Sequence, residues 1–184
     1  EILDRARSIT EKLLALECKL IVLACNTATT QVINQLRKEF AVPFVGIEPA
    51  IKPAAIASKK GVVGVLATKG TLNSQLFHKN SLENGSKTKF IEQIGTGLVE
   101  CVEKNKINDA KTYALLETYL NSMIDDGMDT LVLGWTHYPF LLPVIKKIIP
   151  PNINIIDNSK AVAQQIKRVL SKHDLYDASK STAT

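Results

Sequence analysis

Ile21-Val22-Leu23-Ala24-Cys25-Asn26-Thr27-Ala28-Thr29 is a run of branched apolar residues that passes directly into a cysteine, an asparagine and a threonine. Its first residues are typical of a buried β-strand, and a helical pattern follows at once. In open parallel sheets, ligands bind just beyond the carboxyl ends of the strands. Cys25, Asn26 and Thr27 therefore stand where a binding site is expected.

A second copy of this design lies at Leu131-Val132-Leu133-Gly134-Trp135-Thr136-His137. In both copies an amphipathic helix leads into three apolar residues, one small residue, one variable position and two polar residues. The alignment matches three pairs of positions: Cys25 with Trp135, Asn26 with Thr136, and Thr27 with His137. We interpret the copies as an internal repeat, and we expect Cys25 and Trp135 to face each other across one small cavity.

Strand and helix patterns alternate along the chain, which is typical of parallel sheets with helices packed on both faces. The predicted strands cover residues 20–24, 44–47, 62–66, 90–94, 130–133 and 153–156. Together with the repeat, this predicts an α/β fold of two pseudo-symmetric lobes that meet at the polar strand ends, where ligand sites are favoured.

The lobes are assigned from the position of the repeat. We expect residues 1–47 and 158–184 to form the first lobe and residues 48–157 to form the second. The chain begins at Glu1 inside a helical pattern, so we expect further residues upstream and an incomplete first lobe.

Local signals also predict details of the helices. Proline suits the first turn of a helix, so Pro49 is expected to open the helix after the strand at 44–47. A single helix is predicted from the Thr68 turn to about Leu82, and another from about Phe140 to Ile148. The helix over about 109–126 is expected to bury four residues: Tyr113, Leu116, Leu120 and Met123.

The composition is that of an ordinary globular protein, with 45% apolar and 22% charged residues. The net charge of +5 comes from scattered lysines with few aromatic residues, so the pattern of a nucleic-acid binder is absent. No apolar run approaches the ~20 residues of a membrane span. The three cysteines lack the spacing of a disulfide or zinc framework. We therefore expect a cytoplasmic protein without nucleic-acid or membrane partners, and we leave a homodimer open.

Cys25 is the first candidate for chemistry. A buried cysteine often serves only as a small hydrophobic residue. Its place between a strand end and a helix start, however, offers backbone N–H groups to the sulfur and favours the thiolate. Asn26 and Thr27 can cap the helix and can also hold a carboxylate. Thr68 and Thr71 form a similar hydroxyl-lined turn at a helix start.

Thr136 and His137 end the second strand of the repeat, and we expect His137 to have a functional role. Glu103 lies on a short predicted helix, where a solvated charge is the simplest interpretation. No phosphate loop, metal-ligand cluster or dinucleotide fingerprint is present. Thiol, hydroxyl, amide and imidazole groups suit proton transfer on a small acid, without a cofactor or a metal.

The stretches 23–29 and 133–139 resemble the two motifs of the cofactor-independent aspartate/glutamate racemase family, with the nearest match to bacterial glutamate racemases. The stretches 46–50 and 67–71 are similar to the same family, and the resemblance covers nearly the whole chain. It implies two lobes with the substrate between them and two-base racemisation of glutamate without a cofactor. It also implies supply of D-glutamate for peptidoglycan, and hence for the cell wall and cell shape.

The resemblance also implies roles for individual residues. Cys25 matches one of the two catalytic cysteines. Glu103 matches the acidic residue that works with His137 beside the second cysteine. The matched substrate-binding residues are Asn26, Thr27, Thr68, Thr71, Thr136 and His137.

The chain departs from the family in two ways. Trp135 stands at the position of the second catalytic cysteine, and an indole N–H can only donate a hydrogen bond. The opening strand with its Asp-Ser-Gly motif and a later Pro-Tyr-Gly segment are not found in this sequence. We therefore expect a family member that does not racemise as it stands, while Cys25 alone exchanges the Cα hydrogen of one enantiomer.

Three alternatives stay open. One is a catalytically silent acidic-amino-acid-binding or regulatory protein. Another is a racemase for aspartate or a related acid, because the motif residues hold groups that all amino acids share. The third is a fragment without function, whose exposed strand edges would favour aggregation.

Overall fold

The computed structural model describes residues 1–84 and 87–176, which form two parallel β-sheets covered by helices. The first sheet pairs β1 (Ile21–Leu23) with β2 (Phe44–Gly46). The strands of the second sheet are β3 (Val62–Ala67), β4 (Lys89–Ile94), β5 (Thr130–Gly134) and β6 (Asn154–Ile156), in the spatial order β4-β3-β5-β6. All paired strands run parallel. The predicted α/β fold of helix-flanked parallel sheets is confirmed.

The described residues contain nine α-helices, which connect and cover the strands. In chain order they are α1 (Ile2–Ala15), α2 (Asn26–Glu39), α3 (Ile51–Ala57), α4 (Lys69–Leu72), α5 (Gln75–Asn84), α6 (Leu98–Glu103), α7 (Ala110–Asp125), α8 (Leu142–Ile148) and α9 (Ser159–Lys172). A 3-10 turn at Tyr138–Leu141 leads into α8, where the sequence predicts a single α-helix.

Three other helix predictions were wrong in detail. The helix expected after Thr68 is divided into α4 and α5, because the Ser74 hydroxyl accepts the Phe77 N–H at 3.2 Å and starts a new helix. Pro49 lies ahead of α3, and Pro53 occupies the first turn of that helix instead. Tyr113 is 37% exposed on the outer side of α7, where its phenol ring stays in contact with water.

The core of the second sheet lies on both of its faces. Leu131 and Leu133 of β5 belong to a cluster shared with α7 and α8, whereas Val132 belongs to a cluster shared with α3 and α5. This alternation is the side-chain period of a strand that is buried on both faces. The first sheet has a separate core, in which Ile21 and Phe44 cluster with apolar residues of α2.

The two sheets lie in different parts of the chain. The first sheet lies within residues 1–47, the second lies within residues 48–157, and α9 returns to contact β2. Residues 177–184 of the predicted first lobe lie outside the described residues. We retain the division at residues 47 and 157 as a proposal for the lobe boundaries.

Asp129 fixes the turn between α3 and β3 from its place just ahead of β5. The residue is 9% exposed, and its carboxylate accepts hydrogen bonds from the Ser58 hydroxyl at 2.5 Å and from the backbone N–H groups of Lys59 and Lys60 at 2.7 Å. Burial raises the pKa of this carboxyl, but the hydrogen bonds outweigh burial and hold its pKa below the ordinary value of 3.8. The charged form is therefore the stabilising form.

We predict that Asp129→Asn lowers the free energy of unfolding at pH 7 by about 1–3 kcal/mol, because an amide cannot accept hydrogen bonds from all three donors. Since the folded-state pKa is lowered, the extra stability of the unchanged chain is fully present above roughly pH 4 and is lost as the pH falls through the folded-state value. Urea unfolding at pH 7 and pH 3 measures both effects.

Asp126→Asn is the control for this prediction, because Asp126 is an exposed carboxylate in the same segment. We expect it to change the free energy of unfolding by less than about 0.5 kcal/mol. Equal stability of Asp129→Asn and the unchanged chain at pH 7 would contradict the proposed role of Asp129.

Candidate active site

A small cavity lies where the two lobes meet, beyond the carboxyl ends of β1 and β5. We call it the seam cavity, and its volume is about 160 Å³. Its lining includes Asn26 from the first motif, Trp135 and Thr136 from the second motif, and the first residues of α9. Both polar strand ends therefore reach one cavity, as the repeat predicts.

Asn26 is the buried polar residue of the first motif. It is the first residue of α2 and is only 1% exposed. Neither its Nδ2 nor its Oδ1 atom has a hydrogen-bond partner among the described residues. Buried amide groups are nearly always paired, so an unpaired amide in a cavity lining is typical of a group that binds a ligand.

Three threonine hydroxyls join the two lobes beside Asn26. Thr27 Oγ1 lies 2.9 Å from Thr68 Oγ1 and 3.1 Å from Thr71 Oγ1, and the last two atoms are 3.1 Å apart. Gly70 permits this approach, because a Cβ atom at that position would lie 2.8 Å from Thr27 Cγ2. The structure thus brings together three predicted site residues, although none of them is part of the seam-cavity lining.

Trp135 is held on two sides by aromatic rings. Its ring stacks on His137 with the centroids 4.2 Å apart, and the edge-on contact with Tyr138 has a centroid distance of 5.1 Å. Burial, with a smaller contribution from Tyr119 and Glu100, raises the pKa of Tyr138, so this phenol stays neutral. The Tyr138 hydroxyl donates a hydrogen bond to the Gly95 carbonyl at 3.5 Å. The indole at position 135 is therefore a packed, 8% exposed side chain.

His137 and Glu103 form the contact that the family resemblance implies. His137 Nε2 lies 3.4 Å from Glu103 Oε1, and His137 Nδ1 lies 3.3 Å from the Thr136 hydroxyl. Both side chains are substantially exposed, so water weakens the contact between them. The contact is present, and the role of this pair in proton transfer stays a prediction.

Cys25 is not part of the seam-cavity lining. It occupies the N-cap position of α2 in an extended conformation, and its sulfur accepts the Ala28 N–H at 3.5 Å. It lines an apolar groove of about 340 Å³ along α1 and β1. Asn26 is part of the seam-cavity lining and Cys25 is not. In this structure Cys25 and Trp135 are not in the lining of one cavity, and their facing each other across a substrate stays a prediction.

The start of α9 provides a part of the cavity that the sequence patterns did not predict. Asn158, Ser159 and Val162 belong to the lining, and Ile47 joins them from the end of β2. Asn158 and Ser159 have the residue types of ordinary helix caps. Their position in the sequence could have indicated a place in the site. They follow β6, and the carboxyl ends of parallel strands lie at one edge of the sheet.

Within residues 1–84 and 87–176, no group of three or more His, Cys, Asp or Glu side chains is placed to hold a metal ion. In the same ranges, no helix has the length and apolar character needed to cross a membrane.

Known sequences resemble this chain over most of its length. The family model Asp/Glu/Hydantoin racemase matches residues 2–166. A glutamate racemase from Ectopseudomonas mendocina is 45% identical over 98% of this chain and 69% of its own length. A glutamate racemase from Cupriavidus pinatubonensis is 43% identical over 93% of this chain and 63% of its own length. The chain thus spans about two thirds of the length of these relatives.

Solved structures show the same similarity in three dimensions. Glutamate racemase from Escherichia coli, solved with L-glutamate and the activator UDP-MurNAc-ala, aligns with a TM-score of 0.83 at 30% identity over 99% of this chain and 69% of its own. A glutamate racemase isoform from Bacillus anthracis aligns with a TM-score of 0.84 at 27% identity over 96% of this chain and 67% of its own. On the match to residues 2–166 and this agreement in sequence and fold, the chain belongs to the Asp/Glu/Hydantoin racemase family.

Proposed function

We propose that this chain binds glutamate in the seam cavity and is a cytoplasmic glutamate racemase in origin, whose present form has kept one of two catalytic bases. The observation that carries this proposal is the convergence of Asn26, Trp135 and Thr136 on one cavity between the lobes. The relatives named glutamate racemase support glutamate as the ligand. A source of D-glutamate for peptidoglycan is the cellular role that fits such a protein.

The chemistry of racemisation explains why two bases are needed. Removal of the Cα proton leaves a planar carbanion, and inversion requires that a proton return to the opposite face. One acid or base must therefore stand on each side of the substrate. Cys25 is our candidate on the side of the first lobe, and in this proposal its side chain turns from the apolar groove toward the substrate when glutamate binds. Position 135 is the corresponding place on the other side.

Trp135 cannot serve as the second base. Its indole nitrogen donates a hydrogen bond and has no lone pair that accepts a proton at neutral pH. The ring also occupies space beside the cavity that a smaller side chain would leave to the substrate. We therefore propose that the chain exchanges the Cα proton on one face only and does not interconvert the enantiomers.

The other predicted site residues have roles in the same proposal. The hydroxyls of Thr27, Thr68 and Thr71 turn toward the substrate's polar groups when it binds, and Thr136 holds the substrate from the second lobe. His137 and Glu103 stay beside position 135, where they would transfer protons to and from a second cysteine.

We predict that deuterium from D2O enters Cα of one glutamate enantiomer with the unchanged chain and enters both with Trp135→Cys. Trp135→Ser is the matched control, because it opens the same space without adding a thiol, and it should behave like the unchanged chain. Proton NMR measures the exchange, and circular dichroism measures the change of enantiomer. Interconversion by the unchanged chain as fast as by Trp135→Cys would refute the one-base proposal.

A second candidate is an acidic-amino-acid-binding protein without catalysis. The position of Cys25 favours it, because the sulfur lines the apolar groove and not the seam cavity that contains Asn26. In this candidate function the chain binds the same amino acid but transfers no proton.

We predict that isothermal titration calorimetry detects glutamate binding by the unchanged chain and by Cys25→Ser, since Cys25 lies outside the cavity lining. Deuterium exchange separates the two candidates. Exchange that the unchanged chain catalyses and Cys25→Ser does not supports one-base chemistry, whereas binding without exchange supports the silent binder. The absence of any binding to glutamate or aspartate would exclude both.

A further inference from the structure

Asn158 stands at the start of α9 without capping that helix. Its side chain makes no hydrogen bond to the helix, and Asp157 Oδ1 accepts the Ser159 N–H at 2.8 Å instead. Asn158 is 9% exposed and belongs to the lining of the seam cavity. A buried polar side chain that does not support its own helix must have its hydrogen bonds elsewhere.

The orientation of the Asn158 amide follows from its one partner. Its Nδ2 atom donates to the backbone carbonyl of Glu48, and a carbonyl oxygen can only accept. The amide therefore cannot be flipped without losing this bond. The remaining atom, Oδ1, is a buried acceptor with no hydrogen-bond partner among the described residues.

The chemistry of the free atom determines which ligand group it can bind. An amide oxygen accepts hydrogen bonds and repels a carboxylate, so its partner in the cavity must be a donor. An ammonium group, with three donors and a positive charge, fits this environment best.

We propose that Asn158 Oδ1 accepts a hydrogen bond from the ammonium group of the amino acid in the seam cavity. This inference rests on the proposed function, because it takes the cavity as an amino-acid site. The Asn26 amide lies in the same cavity, and its Nδ2 group has no partner among the described residues. The N–H donors of this group can bind the substrate carboxylate. Asn158 thereby becomes the residue that distinguishes an amino acid from the same acid without its amine.

The test compares L- and D-glutamate with glutarate, which has the same two carboxylates and no amino group. In isothermal titration calorimetry, the unchanged chain should bind at least one enantiomer of glutamate more tightly than glutarate. Asn158→Ala should weaken glutamate binding by about tenfold, the loss expected for one hydrogen bond to a charged group. Its affinity for glutarate should stay within about twofold.

A second variant reverses the effect on the two ligands. Asn158→Asp keeps an acceptor for the ammonium group, loses the donor to the Glu48 carbonyl and adds a negative charge, so glutarate binding should fall by about tenfold more than glutamate binding. Asn152→Ala, at an exposed position in the turn before β6, is the control and should bind both ligands like the unchanged chain. Thermal unfolding by circular dichroism shows whether each variant is folded.

Each outcome supports or overturns the inference. Equal glutamate affinity of Asn158→Ala and the unchanged chain would mean that water satisfies Oδ1, and this result overturns the inference while leaving the proposed function intact. An equal loss for glutamate and glutarate in both variants would show a structural role and also overturn it. If the unchanged chain binds glutarate as tightly as glutamate, nothing in the cavity recognises the amine and the inference fails without any variant. An unchanged chain that binds none of these ligands overturns the proposed function as well.

Discussion

The contact among the hydroxyls of Thr27, Thr68 and Thr71 fixes how the two lobes meet at the site. Thr27 belongs to α2 beyond the first sheet, whereas Thr68 and Thr71 begin α4 beyond β3. Each hydroxyl can donate one hydrogen bond and can also accept, so the three groups can satisfy one another while no ligand is bound. Because Gly70 lacks a side chain, the helix start can approach Thr27 closely enough to form the triangle. The position of Asn26, one residue away, depends on this contact.

The parallel sheets determine which other residues reach the same place. β3 and β5 are paired in register, with Ala67 opposite Gly134, so the turn at Thr68 and the turn at Trp135 leave the sheet side by side. Gly134 has no Cβ atom, and one built there would lie 2.6 Å from the Ala67 Cβ. β6 extends the same edge and brings Asn158 to the cavity. The site is thus a consequence of strand order, with residues from four separate parts of the chain.

The fold could be predicted from the sequence, and so could the meeting of Asn26 and Thr136 at one cavity. Apolar runs such as 131–133 identify buried strands, and the repeat placed Asn26 and Thr136 at one cavity, because both signals depend on local pattern. The direction of the Cys25 side chain was not predictable, since it depends on backbone angles at the strand end that the residue types do not specify. The contribution of α9 was not predicted because helix caps and ligand-binding sites use the same residue types, such as Asn and Ser. The chemistry alone would not distinguish Asn158 from an ordinary cap.

In this chain the residues available for binding an amino acid are different from the residue at the position of the second catalytic base. A buried amide without partners destabilises the free protein by about 1–3 kcal/mol, and a ligand that satisfies the amide removes this cost. Asn26 and Asn158 both carry such atoms, while the neighbouring Trp135 has lost the capacity for proton transfer. The groups that would hold an amino acid therefore do not depend on the group that would invert it. A substitution at position 135 can remove racemisation and leave the reason for binding in place, because the unpaired amides belong to α2 and the start of α9 and not to β5.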